Sequence, residues 1–135
     1  MYPHIAVSIV HSKKLKVMPV LEKVYQNIHN DKRRETVRKI IENAITIVSE
    51  DANIEKLYLF GSCATLDSGA LSDVDLALVF KEQALVDRGG TRVLLDDFEI
   101  HTDLVFCTQA NLDDADSQFN VLYHIKRDGI LLWQR

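Results

Sequence analysis

Cysteine is almost missing from this chain: Cys63 and Cys107 are the only two in 135 residues. Two unpatterned thiols build neither a disulfide framework nor a zinc-ligand set, and we expect a reduced, cytoplasmic protein. Proline and glycine are scarce too, at two and five residues. No tract of either marks a linker, and the chain shows no repeat and no low-complexity segment. No apolar run approaches the length of a membrane span. The opening stretch MYPHIAVSIVHSKK places its charges after its apolar residues, the reverse of a secretory leader. What remains is 47% hydrophobic and 27% charged, enough apolar material for a packed core and too much for a disordered chain. The length suits one compact domain.

Charge is unevenly spread. The net value is −4, but residues 1–50 hold nine Lys/Arg against five Asp/Glu, and residues 51–135 hold seven against fifteen. An acidic half can bind divalent cations, and a basic half can face an anionic ligand or an acidic partner. The plainer reading is a pair of solvated faces.

The hydrophobic spacing outlines one α/β domain. HIAVSIV (4–10) reads as a short edge strand. Pro19 can open a helix over 19–28, with Val20, Val24 and Ile28 four apart. The clearest helix follows, capped by Asn30 or Asp31 and striped by Val37, Ile40, Ile41, Ala44, Ile45 and Val48. Its expected exposed face carries Lys32, Arg33, Arg34, Arg38 and Lys39. KLYLF (56–60) is a buried strand by composition. SDVDLALVF (72–80) is another, with Val74, Leu76, Leu78 and Phe80 on one face and Asp73 and Asp75 beginning the other. Gly89-Gly90 argues for a turn between two short elements. Residues 99–107 alternate like a strand, residues 117–127 suit a helix, and ILLW (130–133) a final extended segment.

Carboxylates inside an apolar strand need a reason. Asp73 and Asp75 project to one face, about 6–7 Å apart at Cα, and repel one another unless a positive charge lies between them. A divalent cation supplies it, since Mg²⁺ takes one or two carboxylates together with phosphate and water oxygens. The bland alternative is a solvated strand end with a local Ser72-Asp73 cap. Gly61-Ser62, directly after the buried strand, is mostly just a turn when taken alone. Beside a carboxylate pair it can also bring backbone N–H groups and a hydroxyl to a phosphate. Asp103 is a third strand aspartate, on the face opposite Leu104. If its strand lies beside 72–80 it joins the pair, and three carboxylates can hold two metal ions. If not, it is an edge residue facing water. Asp96, Asp97 and Glu99 are weaker candidates for that place, and His101 shares Asp103's face.

The stretch FGSCATLDSGALSDVDLALVF resembles the signature of the DNA polymerase beta-like nucleotidyltransferase superfamily: Gly61-Ser62, ten residues, then Asp73-Val74-Asp75. The family's third carboxylate, in a strand of its own, maps onto Asp103 in HTDLVF. LYHIKRDGILLW is similar to the end of small bacterial members. The resemblance covers roughly 31–135 as the catalytic domain and leaves 1–30 as an extension with a strand and a helix. It implies an α+β fold, a short mixed or antiparallel sheet flanked by helices. It also implies transfer of a nucleoside monophosphate, with ATP as substrate and two Mg²⁺ as cofactors. Asp73, Asp75 and Asp103 would then be the metal-binding and catalytic residues, and Gly61 and Ser62 the nucleotide-binding ones.

By size the chain is similar to the minimal nucleotidyltransferases, many of which resemble antitoxins that attach AMP to a tyrosine of a HEPN-type ribonuclease toxin. A second protein is therefore the expected acceptor. Neither a membrane nor direct binding of nucleic acid is expected, since such members lack the nucleic-acid domains of polymerases. One departure matters. Small members carry an arginine after Gly-Ser, where this chain has Cys63. A lost guanidinium removes charge-assisted hydrogen bonds of about 1.5–3 kcal/mol each. Lys56, Arg88 or Arg92 could replace it. Otherwise the protein is a weak or inactive regulator that acts by contact alone. An antibiotic adenylyltransferase is a third reading, disfavoured by length.

Overall fold

The computed structural model describes residues 21–61, 74–89 and 102–135. The expected strand at 4–10, Ser62, Cys63, Asp73, Arg92, Asp96, Asp97, Glu99 and His101 lie outside the described residues.

The described chain begins helical over residues 21–26 and turns into α1, Asp31–Ser49. Asn30 stays extended and its side chain accepts from the Arg33 amide at 2.8 Å, satisfying one of the free N–H groups of the first turn. The six apolar residues of the stripe are all buried, as their spacing predicts. The other end is closed from far along the chain. Arg135 donates to the carbonyls of Val48 and Asp51 at 3.2 and 2.6 Å and to Ile54 O at 2.9 Å. A cation is thereby set against the negative end of the helix dipole. The Arg135 guanidinium also stacks over the Trp133 ring at 4.8 Å.

Four strands follow: β1 Ile54–Phe60, β2 Val74–Phe80, β3 Thr102–Thr108 and β4 Ile130–Gln134. Their order across the sheet is β3-β2-β1-β4. β1 is antiparallel to β2 and β4, while β2 and β3 run parallel. The expected mixed sheet flanked by helices is what forms. Three short helices complete it: α2 Gln83–Asp87 after β2, α3 Gln109–Asp114 after β3, and α4 Val121–Asp128 before β4. The last helix therefore starts later than its sequence suggests. Thr108 stops β3 and starts α3 through a reciprocal capping box with Asn111.

β2 is apolar on both faces because it is covered on both. On one side Leu57, Leu59, Val74, Leu76, Leu78 and Phe80 pack with α1 and with Leu21, Val24, Tyr25 and Ile28. On the other, Ala77, Val79 and Cys107 pack with Leu112 of α3 and Ile125 of α4. This second layer is thin, and it is the layer that matters for the site.

Of the basic face expected on α1, Lys32 and Lys39 are exposed, whereas Arg34 and Arg38 brace the preceding segment. Arg34 donates to Tyr25 O at 3.0 Å and Ile28 O at 2.7 Å, and pairs with Asp31 at 2.8 Å. Arg38 lies 4.2 Å from the centre of the Tyr25 ring, with Glu22 and Glu35 at 3.8 and 3.7 Å. Burial pushes the Tyr25 phenol up to about 12, against a smaller opposing pull from Arg38. The preceding helical segment ends at residue 26, and its carbonyls need donors that the i→i+4 ladder no longer supplies. Ile28 N supplies one at Tyr25 O, 3.0 Å away, and Arg34 adds a second there and another at Ile28 O, so a residue placed by pattern on the solvent face turns inward.

Candidate active site

One end of the sheet gathers the chemistry. β1 runs toward it and finishes at Phe60-Gly61, whereas β2 and β3 start from it. Phe60 stands opposite Asp75, and Asp75 opposite Asp103. Residues in register on adjacent strands point to the same face, about 4.8 Å apart. Asp75 and Asp103 thus sit side by side at the mouth of the thin layer, above Ala77, Val79 and Cys107. Asp75 is half-buried and Asp103 exposed. Asp103 is both of the things its sequence allowed: a residue on the outermost described strand facing solvent, and the neighbour of Asp75.

Gly61 is fixed by this crowding. Its φ is +75°, in the left-handed region that a side chain disfavours. A Cβ built there would fall 2.1 Å from Asp75 Oδ2 and 3.0 Å from Asp75 Cγ. The Asp75 carboxylate occupies the space where any other residue would carry its side chain. The β1–β2 pairing therefore holds turn and carboxylate against each other.

The pair fits a divalent cation. It offers two oxygen ligands from one face in a position open to solvent, the number of carboxylates that Mg²⁺ commonly takes. Among the described residues no three His, Cys, Asp or Glu side chains converge on a metal site. Asp73, the partner of Asp75 in the expected trio, lies outside them.

Other groups are excluded from the chemistry by their surroundings. Burial raises the Cys107 thiol to about 11, so it is not a nucleophile near neutral pH. Tyr58 is raised by burial and then by neighbouring Cys107 and Asp113. Its ring packs 3.3 Å from where a Gly129 Cβ would sit, so the close approach of α4 to β1 needs that glycine. Lys56 and Arg88, suggested as replacements for the absent arginine, stand at the opposite end of the sheet. Lys56 is in register with Val79, about 13 Å along the strand from the Phe60–Asp75 level, and donates to Gln109 Oε1 at 2.7 Å. Arg88 follows α2, which leaves β2 at that same far end, and donates to Ala84 O.

Sequence reasoning did not single out the cations of α4. β4 begins where Ile130 meets Leu59, so the last turn of α4 reaches the carboxylate end of the sheet. Lys126 and Arg127 lie in that turn. Both lean back along the helix, Lys126 to Ala115 O and Arg127 over Tyr123 at 5.4 Å and against Asp128 at 2.8 Å. Their adjacent positions before Gly129 were a signal available from the sequence. Tyr123 forms part of this half-exposed cluster.

Residues 42–135 match the family model described as polymerase beta, nucleotidyltransferase. The chain belongs to the polymerase beta nucleotidyltransferase family. The match takes in all four strands and Gly61 and begins inside α1. No curated protein matches the chain. A 1.40 Å crystal structure of a protein from Sulfolobus solfataricus, described as a candidate nucleotidyltransferase, is similar in fold. It has a TM-score of 0.55 and 23% identity, covering 78% of this chain and 90% of that one. Members of the polymerase beta nucleotidyltransferase family use a nucleoside triphosphate and a divalent metal, and membership points to transferase activity.

Proposed function

We propose that this nucleotidyltransferase moves AMP from ATP to a hydroxyl on a second protein, with residues 31–135 as the catalytic domain and 1–30 as an extension. The observation that supports it most is the register of Asp75 on Asp103, with Gly61 moulded around the Asp75 carboxylate. Asp73, Asp75 and Asp103 would hold Mg²⁺, two ions when all three act. Bound there, the metal supplies charge neutralisation for the carboxylates and polarises phosphate oxygens. The chain's own residues do the rest. Gly61 and Ser62 cradle the β- and γ-phosphates. Asp75, half-buried and braced by the turn, would hold the metal that offsets the charge of the triphosphate. Asp103, the more exposed carboxylate, is placed to receive the proton of an incoming hydroxyl. The acceptor oxygen forms a bond to the α-phosphorus while the bond to the β-phosphate bridging oxygen breaks, and pyrophosphate leaves.

A HEPN-type toxin, modified on a tyrosine and so silenced, is the partner we favour. The test is transfer of label from [α-³²P]ATP, with Mg²⁺, to the protein encoded beside this one. Label on that protein, lost in Asp103→Asn, supports the reading, and absence of label with intact complex formation refutes it.

A second reading has an observation of its own. Cys63 stands where small members have arginine, so the guanidinium expected beside the triphosphate is missing from that position. A regulator that binds without catalysis would retain partner binding in the Asp75→Asn and Asp103→Asn variants. The enzyme would lose its effect on the partner in both.

A further inference from the structure

One cation beside the thin layer has no carboxylate to hold it. β4 opens with Ile130 against Leu59, and a Cβ on Gly129 would fall 3.3 Å from the Tyr58 ring, so α4 ends beside the Phe60–Gly61 turn. Ile125, in the last turn of α4, packs in the layer formed on Ala77 and Val79 of β2. Asp75 stands two residues along β2 from Ala77, about 7 Å away. The residues after Ile125 fan out round the helix, about 100° apart. Lys126 turns toward α3, where its ammonium donates to Ala115 O. Arg127 turns to the outer side and is held there by Asp128 at 2.8 Å. Lys126 is exposed, lies 5.9 Å from the centre of the Tyr123 ring, and makes no ion pair among the described residues. Its amine thus spans the gap between α3 and α4, whose floor is Ala77 and Val79 and whose mouth carries Asp75 and Asp103.

We propose that Lys126 is the triphosphate cation of this chain: its ammonium turns from Ala115 O to the outer phosphates of a bound nucleoside triphosphate, in place of the arginine absent at Cys63. The assignment rests on the reading of the sheet end as a nucleotidyl-transfer site. In that reading the β- and γ-phosphates lie at Gly61, on the β1 side of the carboxylates, and α4 covers that side. The other cations are committed elsewhere. Lys56 and Arg88 stand at the far end of the sheet, and Arg34 and Arg38 brace the opposite face. A lysine held by one carbonyl exchanges a neutral acceptor for a charged one when it moves, and its four-carbon stem allows the move with the backbone at rest. At the phosphates it balances the charge that gathers on the departing pyrophosphate.

Equilibrium titration of the full chain with ATP in the presence of Mg²⁺, and in parallel with AMP, tests the assignment. We expect Lys126→Met to weaken ATP binding about 10- to 100-fold and to leave AMP binding unchanged, because AMP lacks the outer phosphates. Lys126→Arg keeps most of the affinity for ATP, and Cys63→Arg in the Lys126→Met chain recovers most of the loss. A role confined to holding Ala115 O would weaken both nucleotides alike, and that result overturns the proposal. So does a Lys126→Met variant that binds ATP as tightly as the wild type. A wild-type chain that binds no ATP overturns the reading of the site itself, and this assignment with it.

Discussion

Replacing Gly61 by alanine tests the closest approach in the molecule. The new methyl carbon would arrive 2.1 Å from Asp75 Oδ2, and the backbone would remain at φ +75°. Holding an L-residue in the left-handed region costs about 1–2 kcal/mol. Pushing the Asp75 carboxylate off its rotamer costs about 0.5–1.5 kcal/mol more. Together they give about 2–3 kcal/mol, which for a domain of this size lowers the melting temperature by about 6–15 °C. The two contributions separate in a double-mutant cycle. In an Asp75→Ala background the nearest atoms are gone and only the Asp75 Cβ remains, 3.3 Å from the new methyl. The steric part should therefore vanish and the backbone part persist. Urea denaturation of the two single variants and the double variant should give a coupling of about 1 kcal/mol, with the double variant less destabilised than the sum of the singles. The reasoning fails if Gly61→Ala costs the same with and without the Asp75 carboxylate. It also fails if the substitution costs less than about 0.5 kcal/mol, which no left-handed alanine should achieve.

Asp103→Asn should abolish nucleotidyl transfer while leaving the urea midpoint within experimental error, since the side chain is exposed. Unchanged turnover would remove Asp103 from the site. Arg34→Gln should destabilise the fold by about 2 kcal/mol through loss of its bonds to Tyr25 O and Ile28 O, whereas Lys39→Gln should stay within about 0.5 kcal/mol. Equal costs would deny Arg34 its role as a strut. Stability should fall as the pH rises. Cys107 and Tyr25 keep their protons in the folded state to about 11 and about 12, while their unfolded counterparts release them from about 9 and about 10. Folding thus has its full contribution from these groups below pH 9 and loses it upward from there. Cys107→Ala should flatten the decline between about pH 9 and 11 in urea titrations at stepped pH.

Much of the site could be read from the chain because two simple periods carry it. Alternation put Asp75 on the face opposite Val74, Leu76 and Leu78, and helical spacing marked all six residues that α1 buries. Parallel pairing could not be read. Nothing local says that β3 lies beside β2 in the same direction, and Asp103 is opposite Asp75 only because it does. The inward turn of Arg34 was hidden for a related reason. Periodicity reports which side of a helix is apolar, but not that a neighbouring segment will present carbonyls to the polar side. The α4 cations were concealed by topology, since their place depends on the β1–β4 pairing that folds the end of the chain back along β1.

The parallel seam between β2 and β3 also sets the order in which the molecule gains its competence. β1 and β2 are antiparallel neighbours in sequence, so Gly61 and Asp75 meet through a short excursion of the chain. Asp103 has to be carried back past the full length of β2 before it can align, and such closures are entropically dear and late. In hydrogen exchange, amides of the β2–β3 ladder should therefore open more readily than those of the β1–β2 ladder. A momentary peeling of β3 would disarm the carboxylate pair while the larger core beneath α1 stays folded. Anything that bridges Asp75 and Asp103 would close that seam, so ligand binding and the rigidity of one sheet edge become the same event.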